Sequence, residues 1–127
     1  MGKKFLIDTN ILIEYLSGLL PDASHQFVND VISGNFIISI INRIEVLGFP
    51  SSNKQVEAFL DLAHQYELTK DVALKTIELR KIHKIKLPDA IIAATALVYD
   101  LGIVTRNVKD FENIKGINVV NPYTLSK

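Results

Sequence analysis

Short apolar runs alternate with amphipathic segments along the whole chain. The apolar runs lack the alternation of half-exposed strands, which is typical of strands buried in a parallel sheet. The predicted strands cover residues 3–7, 36–39, 103–105 and 117–120. The predicted helices cover residues 10–17, 22–33, 40–49, 54–66, 71–83 and 88–100, with a connection that has room for a short strand at 67–70 and a turn or short helix at 107–113. Strands that alternate with helices predict an α/β fold with a central parallel sheet and helices on both faces.

Composition narrows the class of protein. A chain of 127 residues is long enough for one domain with its own core, and we expect residues 1–127 to form a single domain. There is no cysteine, which excludes disulfides, zinc–thiolate sites and thiol catalysis and makes the cytoplasm the expected compartment. No apolar run approaches the roughly 20 residues that span a bilayer, so no membrane is expected. Net charge is zero, so a nucleic-acid partner would need a local basic patch or metal ions.

Three acids lie where an ordinary surface acid would not. Asp8 ends the first apolar strand, Glu45 lies within an apolar helix, and Asp89 opens the most apolar helix. Each has a structural alternative, namely a helix cap for Asp8, a favourable helix-dipole position for Asp89 and a buried ion pair for Glu45. A buried carboxylate is costly unless it is paired, hydrogen-bonded or bound to a metal. Taken together, the three acids favour an acidic metal site.

A fourth polar cluster follows the predicted strand at 103–105. Thr105, Asn107 and Asp110 place a hydroxyl, an amide and a carboxylate in one tight segment. An Asn-capped turn is the structural alternative. As a functional cluster, the segment would form a fourth wall of the acidic pocket, with Arg106 and Lys109 placed to contact phosphate.

Oxygen ligands of this kind select Mg²⁺ or Mn²⁺. Such ions activate water and stabilise in-line displacement at phosphorus. The predicted chemistry is therefore metal-assisted hydrolysis of a phosphodiester, without a nucleophilic side chain. A local basic run precedes Asp89 and is either an RNA-phosphate contact or a solvated helix end; it comprises Arg80, Lys81, His83, Lys84 and Lys86.

The order and spacing of these motifs resemble the PIN-domain nucleases, and within them the VapC-type toxins of toxin–antitoxin pairs. The matching motifs are Asp8-Thr9-Asn10, the inward Glu45, Leu87-Pro88-Asp89-Ala90 and Thr105-x-Asn107-x-x-Asp110-Phe111. The resemblance covers essentially the whole chain. It implies an α/β/α sandwich, an endoribonuclease that uses Mg²⁺ or Mn²⁺ to cut RNA, a homodimer and an inhibitory antitoxin protein.

The resemblance also assigns roles to residues. By motif position, Asp8, Glu45 and Asp89 match the three core acids, which are both catalytic and metal-binding. Thr9 matches the hydroxyl beside the first acid. Ser39 and Asn42 match small polar residues that line the pocket. These roles are expectations from the likeness.

One position departs from the family pattern and keeps alternatives open. Asn107 stands where many relatives have aspartate, with Asp110 three residues later, so a second metal would be held weakly without RNA. The chain is alternatively a PIN-fold RNA- or protein-binding module with impaired catalysis. A phosphoacceptor receiver-like domain and a hydrolase with an Asp nucleophile are further alternatives, although Asp8-Thr9-Asn10 lacks the paired acid that each would need.

Overall fold

The computed structural model describes residues 3–125. Within them, five strands form one parallel sheet of order β3-β2-β1-β4-β5. The strands are β1 (Phe5–Ile7), β2 (Ile37–Ser39), β3 (His64–Tyr66), β4 (Gly102–Val104) and β5 (Val119–Val120). The α-helices are α1 (Thr9–Leu16), α2 (Asp22–Gly34), α3 (Ile40–Leu47), α4 (Lys54–Leu60), α5 (Lys70–Ile82) and α6 (Leu87–Val98), and single 3₁₀ turns cover Val108–Asp110 and Pro122–Leu125. The predicted α/β class is confirmed.

Neighbouring residues of the inner strands point to opposite faces of the sheet, as the pleat requires. Leu6 packs into a core with residues of α5 and α6, whereas Ile7 packs into a second core with residues of α1, α2, α3 and α4. The pairs Ile37 and Ile38, and Ile103 and Val104, divide between the two cores in the same way. These strands are apolar throughout because both of their faces are buried, and the result is a sandwich of helix, sheet and helix. None of the helices within residues 3–125 has the length and apolar character that crossing a membrane requires.

The predicted helix over 54–66 is wrong in its second half. It ends at Leu60, and after a turn the chain adds β3 as an edge strand beside β2. The spacing of apolar residues continues through Ala63, but pairing with β2 satisfies the backbone groups of residues 64–66 and decides the conformation. The connection at 67–70 contains no strand, since β3 lies just before it.

Gly102 allows β1 and β4 to lie side by side. A Cβ atom at this position would stand 2.5 Å from the ring of Phe5, closer than packed atoms can come. The register pairs Phe5 with Gly102 and Ile7 with Val104. One residue further along, the same register brings Asp8 opposite Thr105.

Candidate active site

The polar residues that end β1 and β4 meet at the topological switch point of the sheet. The chain leaves β1 toward β2 and β3 on one side and returns to β4 on the other side of β1. In open α/β sheets, ligands bind in the crevice at this point, outside the carboxyl ends of the strands. Asp8 and Thr105 are both buried there. Their hydrogen bond, 2.8 Å from Thr105 Oγ1 to Asp8 Oδ2, joins the two strands at the base of the crevice.

Asp8 is 4% exposed, and both of its carboxylate oxygens accept hydrogen bonds. Oδ1 accepts from the Thr9 backbone N–H at 2.8 Å, which makes Asp8 the N-cap of α1. Oδ2 accepts from Thr105 and from Asn10 Nδ2 at 3.4 Å. Burial raises the pKa of Asp8, the Thr105 and Thr9 hydrogen bonds lower it, and the nearby charges of Glu45 and Asp110 raise it further, for a net rise. Asp8 is therefore both a helix cap and an acid held in one orientation inside the crevice.

Thr105 can donate its hydroxyl proton only toward Asp8. Its Oγ1 accepts from the Asn107 backbone N–H at 3.0 Å and from Asn10 Nδ2 at 3.3 Å. Asn10 Oδ1 in turn accepts from the Arg106 backbone N–H at 3.2 Å, which ties α1 to the segment after β4. The sequence analysis named Asn10 only as part of the Asp8-Thr9-Asn10 motif and gave its side chain no role in the site. The signal was its position two residues after a buried acid at a strand end.

Glu45 reaches the site through Thr9. Thr9 Oγ1 donates to Glu45 Oε1 at 2.5 Å and accepts from Asn42 Nδ2 at 3.1 Å. Asn42 is fixed by a capping box, in which its Oδ1 accepts from the Ser39 backbone N–H at 2.8 Å and the Ser39 side chain accepts from the Asn42 N–H. Ser39 and Asn42 are buried behind Thr9. The family resemblance led us to expect both in the lining of the pocket, but neither lines it. They position Thr9 and Glu45 instead.

Asp89 is supplied by α6. It lies in the first helical turn after Leu87-Pro88 and is half-buried. Burial, followed by the negative charges of Asp8, Asp110 and Glu45, raises the pKa of Asp89 to about 6, against a smaller lowering by Lys86. A carboxyl whose pKa is raised by three other acids shares one electrostatic environment with them. The four acids therefore converge from separate elements.

These elements enclose a cleft of about 550 Å³, which we call the acid cleft. It is lined by Asp8, Thr9, Asn10, Ile13, Ile44, Glu45, Gly48, Phe49, Pro50, Asp89 and Asn107. Asn107 begins the Val108–Asp110 turn, yet its side chain makes no capping hydrogen bond, so the structural alternative for its side chain is wrong. Asp110 and Lys109 lie in an adjoining groove that shares Asp89. The structure thus brings together Asp8, Glu45, Asp89 and Asn107 in the acid cleft and places Asp110 in the adjoining groove.

Arg106 is engaged elsewhere. Its guanidinium forms a salt bridge with Glu14, at 2.7 Å from Nη1 to Oε2, and lies 5.6 Å from the centre of the Tyr123 ring. The Tyr123 hydroxyl donates to the same Glu14 carboxylate at 2.8 Å. This contact differs from the expected role of Arg106 against phosphate, because its charge is already paired.

The donor set fits a hard divalent cation that keeps part of its water shell. Burial and the negative charges of neighbouring acids raise the pKa of Asp8 and of Asp89, and a cation among Asp8, Glu45 and Asp89 would relieve the repulsion. Within residues 3–125, however, no group of three or more His, Asp or Glu side chains is arranged so that it could hold a metal ion by itself. Mg²⁺ is usually bound by one or two carboxylates, several waters and substrate phosphate. The arrangement therefore fits a metal that is completed by substrate better than a preformed cage.

Comparison with known proteins places this geometry in a family. The model of the PIN-domain family matches residues 5–117. A toxin–antitoxin complex from Klebsiella pneumoniae contains a chain that is 35% identical over 93% of this chain and 97% of that one, with a TM-score of 0.75. VapBC bound to DNA from Salmonella typhimurium is 25% identical over 95% and 99% of the two chains, with a TM-score of 0.76.

Two further comparisons complete the picture. FitAcB from Neisseria gonorrhoeae shares the fold, with a TM-score of 0.79 at 22% identity over 95% of this chain and 99% of that one. A search of curated proteins found no match. Since the family model covers most of the sequence, and a relative of known structure is similar over nearly all of it, this chain belongs to the PIN-domain family.

Proposed function

We propose that the chain is a metal-dependent endoribonuclease and the toxin of a toxin–antitoxin pair. The observation that carries the proposal is the convergence of Asp8, Glu45 and Asp89 on one cleft at the switch point of the sheet, with Asp110 in the adjoining groove. The family membership supports nuclease chemistry, and the relatives of known structure that bear toxin–antitoxin names support the toxin role. The expected cofactor is Mg²⁺ or Mn²⁺, and the expected compartment is the cytoplasm.

In this proposal, the chain's residues hold the metal and the scissile phosphate. When bound, the ion would lower the pKa of a water molecule and offset charge on the phosphoryl oxygens. Asp8 and Asp89 would each offer a carboxylate oxygen from the lining of the acid cleft. Glu45, oriented by Thr9, would offer the third or accept a proton from the attacking water. Asp8 is already fixed by hydrogen bonds, so little reorganisation is needed on its side.

The test is cleavage of structured RNA by the purified chain with Mg²⁺ or Mn²⁺, beside the same reaction in EDTA. Asp8→Asn and Asp89→Asn should each strongly lower metal-dependent cleavage, because each removes a negatively charged ligand. Asp22→Asn is the matched control, since Asp22 also lies in the first turn of a helix but on the exposed surface of α2. Equal cleavage by the wild type and both site variants would reject the assignment.

The binding module with impaired catalysis stays the alternative. It is favoured by Asn107 in the acid cleft. It is also favoured because, within residues 3–125, no three acidic or histidine side chains are arranged to hold a metal ion by themselves. Binding of RNA without cleavage under any metal condition would select it. The receiver-like alternative is excluded by the PIN-domain match over residues 5–117.

The partners are also proposals. A toxin should arrest growth when it is expressed, and co-expression of its cognate antitoxin should restore growth. The homodimer expected from the family resemblance is tested by light scattering of the purified chain across a range of concentrations. A mass equal to one chain at every concentration would reject the dimer without affecting the nuclease assignment.

A further inference from the structure

A second cleft, of about 720 Å³, adjoins the acid cleft and shares Asp89 with it. We call it the basic groove. It is lined by Arg80, His83, Lys84, Ile85, Lys86, Asp89, Lys109, Asp110, Asn113 and Ile114. Four of these side chains are arginine or lysine and are positively charged at neutral pH, whereas the whole chain has a net charge of zero. Positive charge is therefore concentrated beside the acids at Asp89.

The four cations of the basic groove are not used to hold the fold together. Within residues 3–125, none of them forms a salt bridge or a side-chain hydrogen bond. Arg106 differs from them, because its guanidinium forms a salt bridge with Glu14 and lies over the ring of Tyr123. The charge of Lys86 lowers the pKa of Asp89. Their charge is available to a ligand.

Helix electrostatics explain only one member of the group. Arg80 lies in the last turn of α5, where a cation interacts favourably with the helix dipole. Lys84 and Lys86 lie beyond the end of α5, and Lys109 comes from the 3₁₀ turn after β4. Three separate segments thus direct cations into one groove without a structural reason that they share.

We propose that the basic groove binds the backbone phosphates of the RNA strand on one side of the cleavage site. The inference rests on the proposed function. Asp89 lies in both clefts, so a strand that follows the groove enters the acid cleft beside it and brings its next phosphate to the acids. The groove would supply affinity for any RNA sequence, because phosphate contacts carry no sequence information. It also explains how a chain of zero net charge would bind a polyanion.

The test replaces the four cations together. The groove variant carries Arg80→Gln, Lys84→Gln, Lys86→Gln and Lys109→Gln. The control variant carries Lys54→Gln, Lys70→Gln, Lys81→Gln and Lys115→Gln, which remove an equal charge from exposed positions outside both clefts. Lys81 is the most closely matched control position, because it follows Arg80 directly in the sequence but does not line the groove. Thermal unfolding of both variants checks that the fold is retained.

The readouts are the affinity for single-stranded RNA as a function of salt, and the steady-state cleavage constants. The groove variant should bind about tenfold or more weakly at low salt, and its salt slope should fall by roughly 0.7 for each cation that contacts a phosphate. The loss in cleavage should appear mainly as a higher KM. The control variant should keep the wild-type slope. A merely structural role for the cations would not change the salt slope.

The outcomes separate the two proposals. If the wild type cleaves RNA and both quadruple variants have the same salt slope, the basic groove is not the RNA path, although the nuclease assignment stands. If the wild type binds RNA through the groove but does not cleave it, the groove inference stands and the nuclease assignment fails. If the wild type neither binds nor cleaves RNA, both are wrong. Should the groove variant unfold, Lys84→Gln alone, at an exposed position outside any helix, is expected to lower the slope by about 0.7.

Discussion

The two walls of the acid cleft are built in different ways. On the β1–β4 side, Asp8 is buried and accepts hydrogen bonds on both oxygens. On the α6 side, Asp89 is half-buried, makes no side-chain hydrogen bond within residues 3–125, and has a pKa raised to about 6. The first wall is set by folding itself. The pKa of both acids is raised, but on the second wall no side-chain hydrogen bond within residues 3–125 offsets the burial of Asp89 and the negative charges around it.

The sharpest way to break this comparison is to neutralise one acid on each wall. Asp8→Asn and Asp89→Asn should each lower cleavage by at least about 100-fold, since each loses a negatively charged ligand. Their effects on the free energy of unfolding should have opposite signs. Asparagine has one acceptor oxygen, so at position 8 either Thr9 N–H or Thr105 loses its partner, at a cost of about 1 kcal/mol or more.

At position 89, no hydrogen bond is lost and repulsion is relieved, so Asp89→Asn should stabilise the metal-free protein by up to about 1 kcal/mol, a figure kept small because the side chain is half exposed. Urea unfolding in EDTA measures both variants. If the free energy of unfolding changed with the same sign in both variants, the proposed difference between the two walls would be wrong.

Substitution of Thr105 tests the β1–β4 side of the acid cleft, and its expected effect is smaller. Thr105→Val removes the donor to Asp8 and should lower cleavage by about 10- to 100-fold while raising the metal concentration needed for half-maximal activity. Thr105→Ser should restore both values. Thr95→Val is the matched control, because Thr95 is also buried but donates to the Ile91 carbonyl within α6. Loss of activity in the control equal to that of Thr105→Val would remove the special role of Thr105.

The raised pKa of Asp89 predicts that the stability of the metal-free protein depends on pH. The pKa of Asp89 is about 6 in the folded chain and 3.8 as its ordinary value, so the folded state takes up a proton first as the pH falls. The metal-free protein should therefore gain stability, by roughly 1 kcal/mol, as the pH is lowered from about 7 to about 5. Cleavage should decline over the same interval, because protonated Asp89 no longer offers a negative charge.

Added Mg²⁺ should stabilise the protein more at pH 7 than at pH 5, and Asp89→Asn should flatten the pH dependence. The measurement is urea unfolding at several pH values, with and without metal. Higher stability at pH 7 than at pH 5 in EDTA would contradict the raised pKa of Asp89.

Asn107→Asp should give the smallest effect and refine the metal count. A fifth carboxylate in this region would strengthen metal binding severalfold and raise the pKa of Asp89 further. Calorimetric titration without RNA should show weak binding at one site in the wild type and tighter binding in the variant. Two tight sites in the wild type would remove the significance of Asn107.

Much of the fold was predictable from the apolar pattern, and its limits have identifiable causes. Both faces of β1, β2 and β4 are buried, so their sequences are apolar throughout and stand out. β3 escaped prediction because it is an edge strand with polar residues, and its conformation depends on pairing with β2. The apolar stripe of α4 continued past the true end of that helix for the same reason.

The candidate site divides along similar lines. The sequence by itself determined that Asp8, Glu45 and Asp89 lie inward on three different elements, because an acidic residue among apolar neighbours can be recognised from the sequence alone. Only the tertiary structure decided how they are held: Asn10 and Thr105 fix Asp8, Ser39 and Asn42 stand behind the cleft, and Arg106 is paired with Glu14. Hydrogen-bond partners that are about 30 to 100 residues apart are chosen by strand register and helix packing, and no local pattern records that choice.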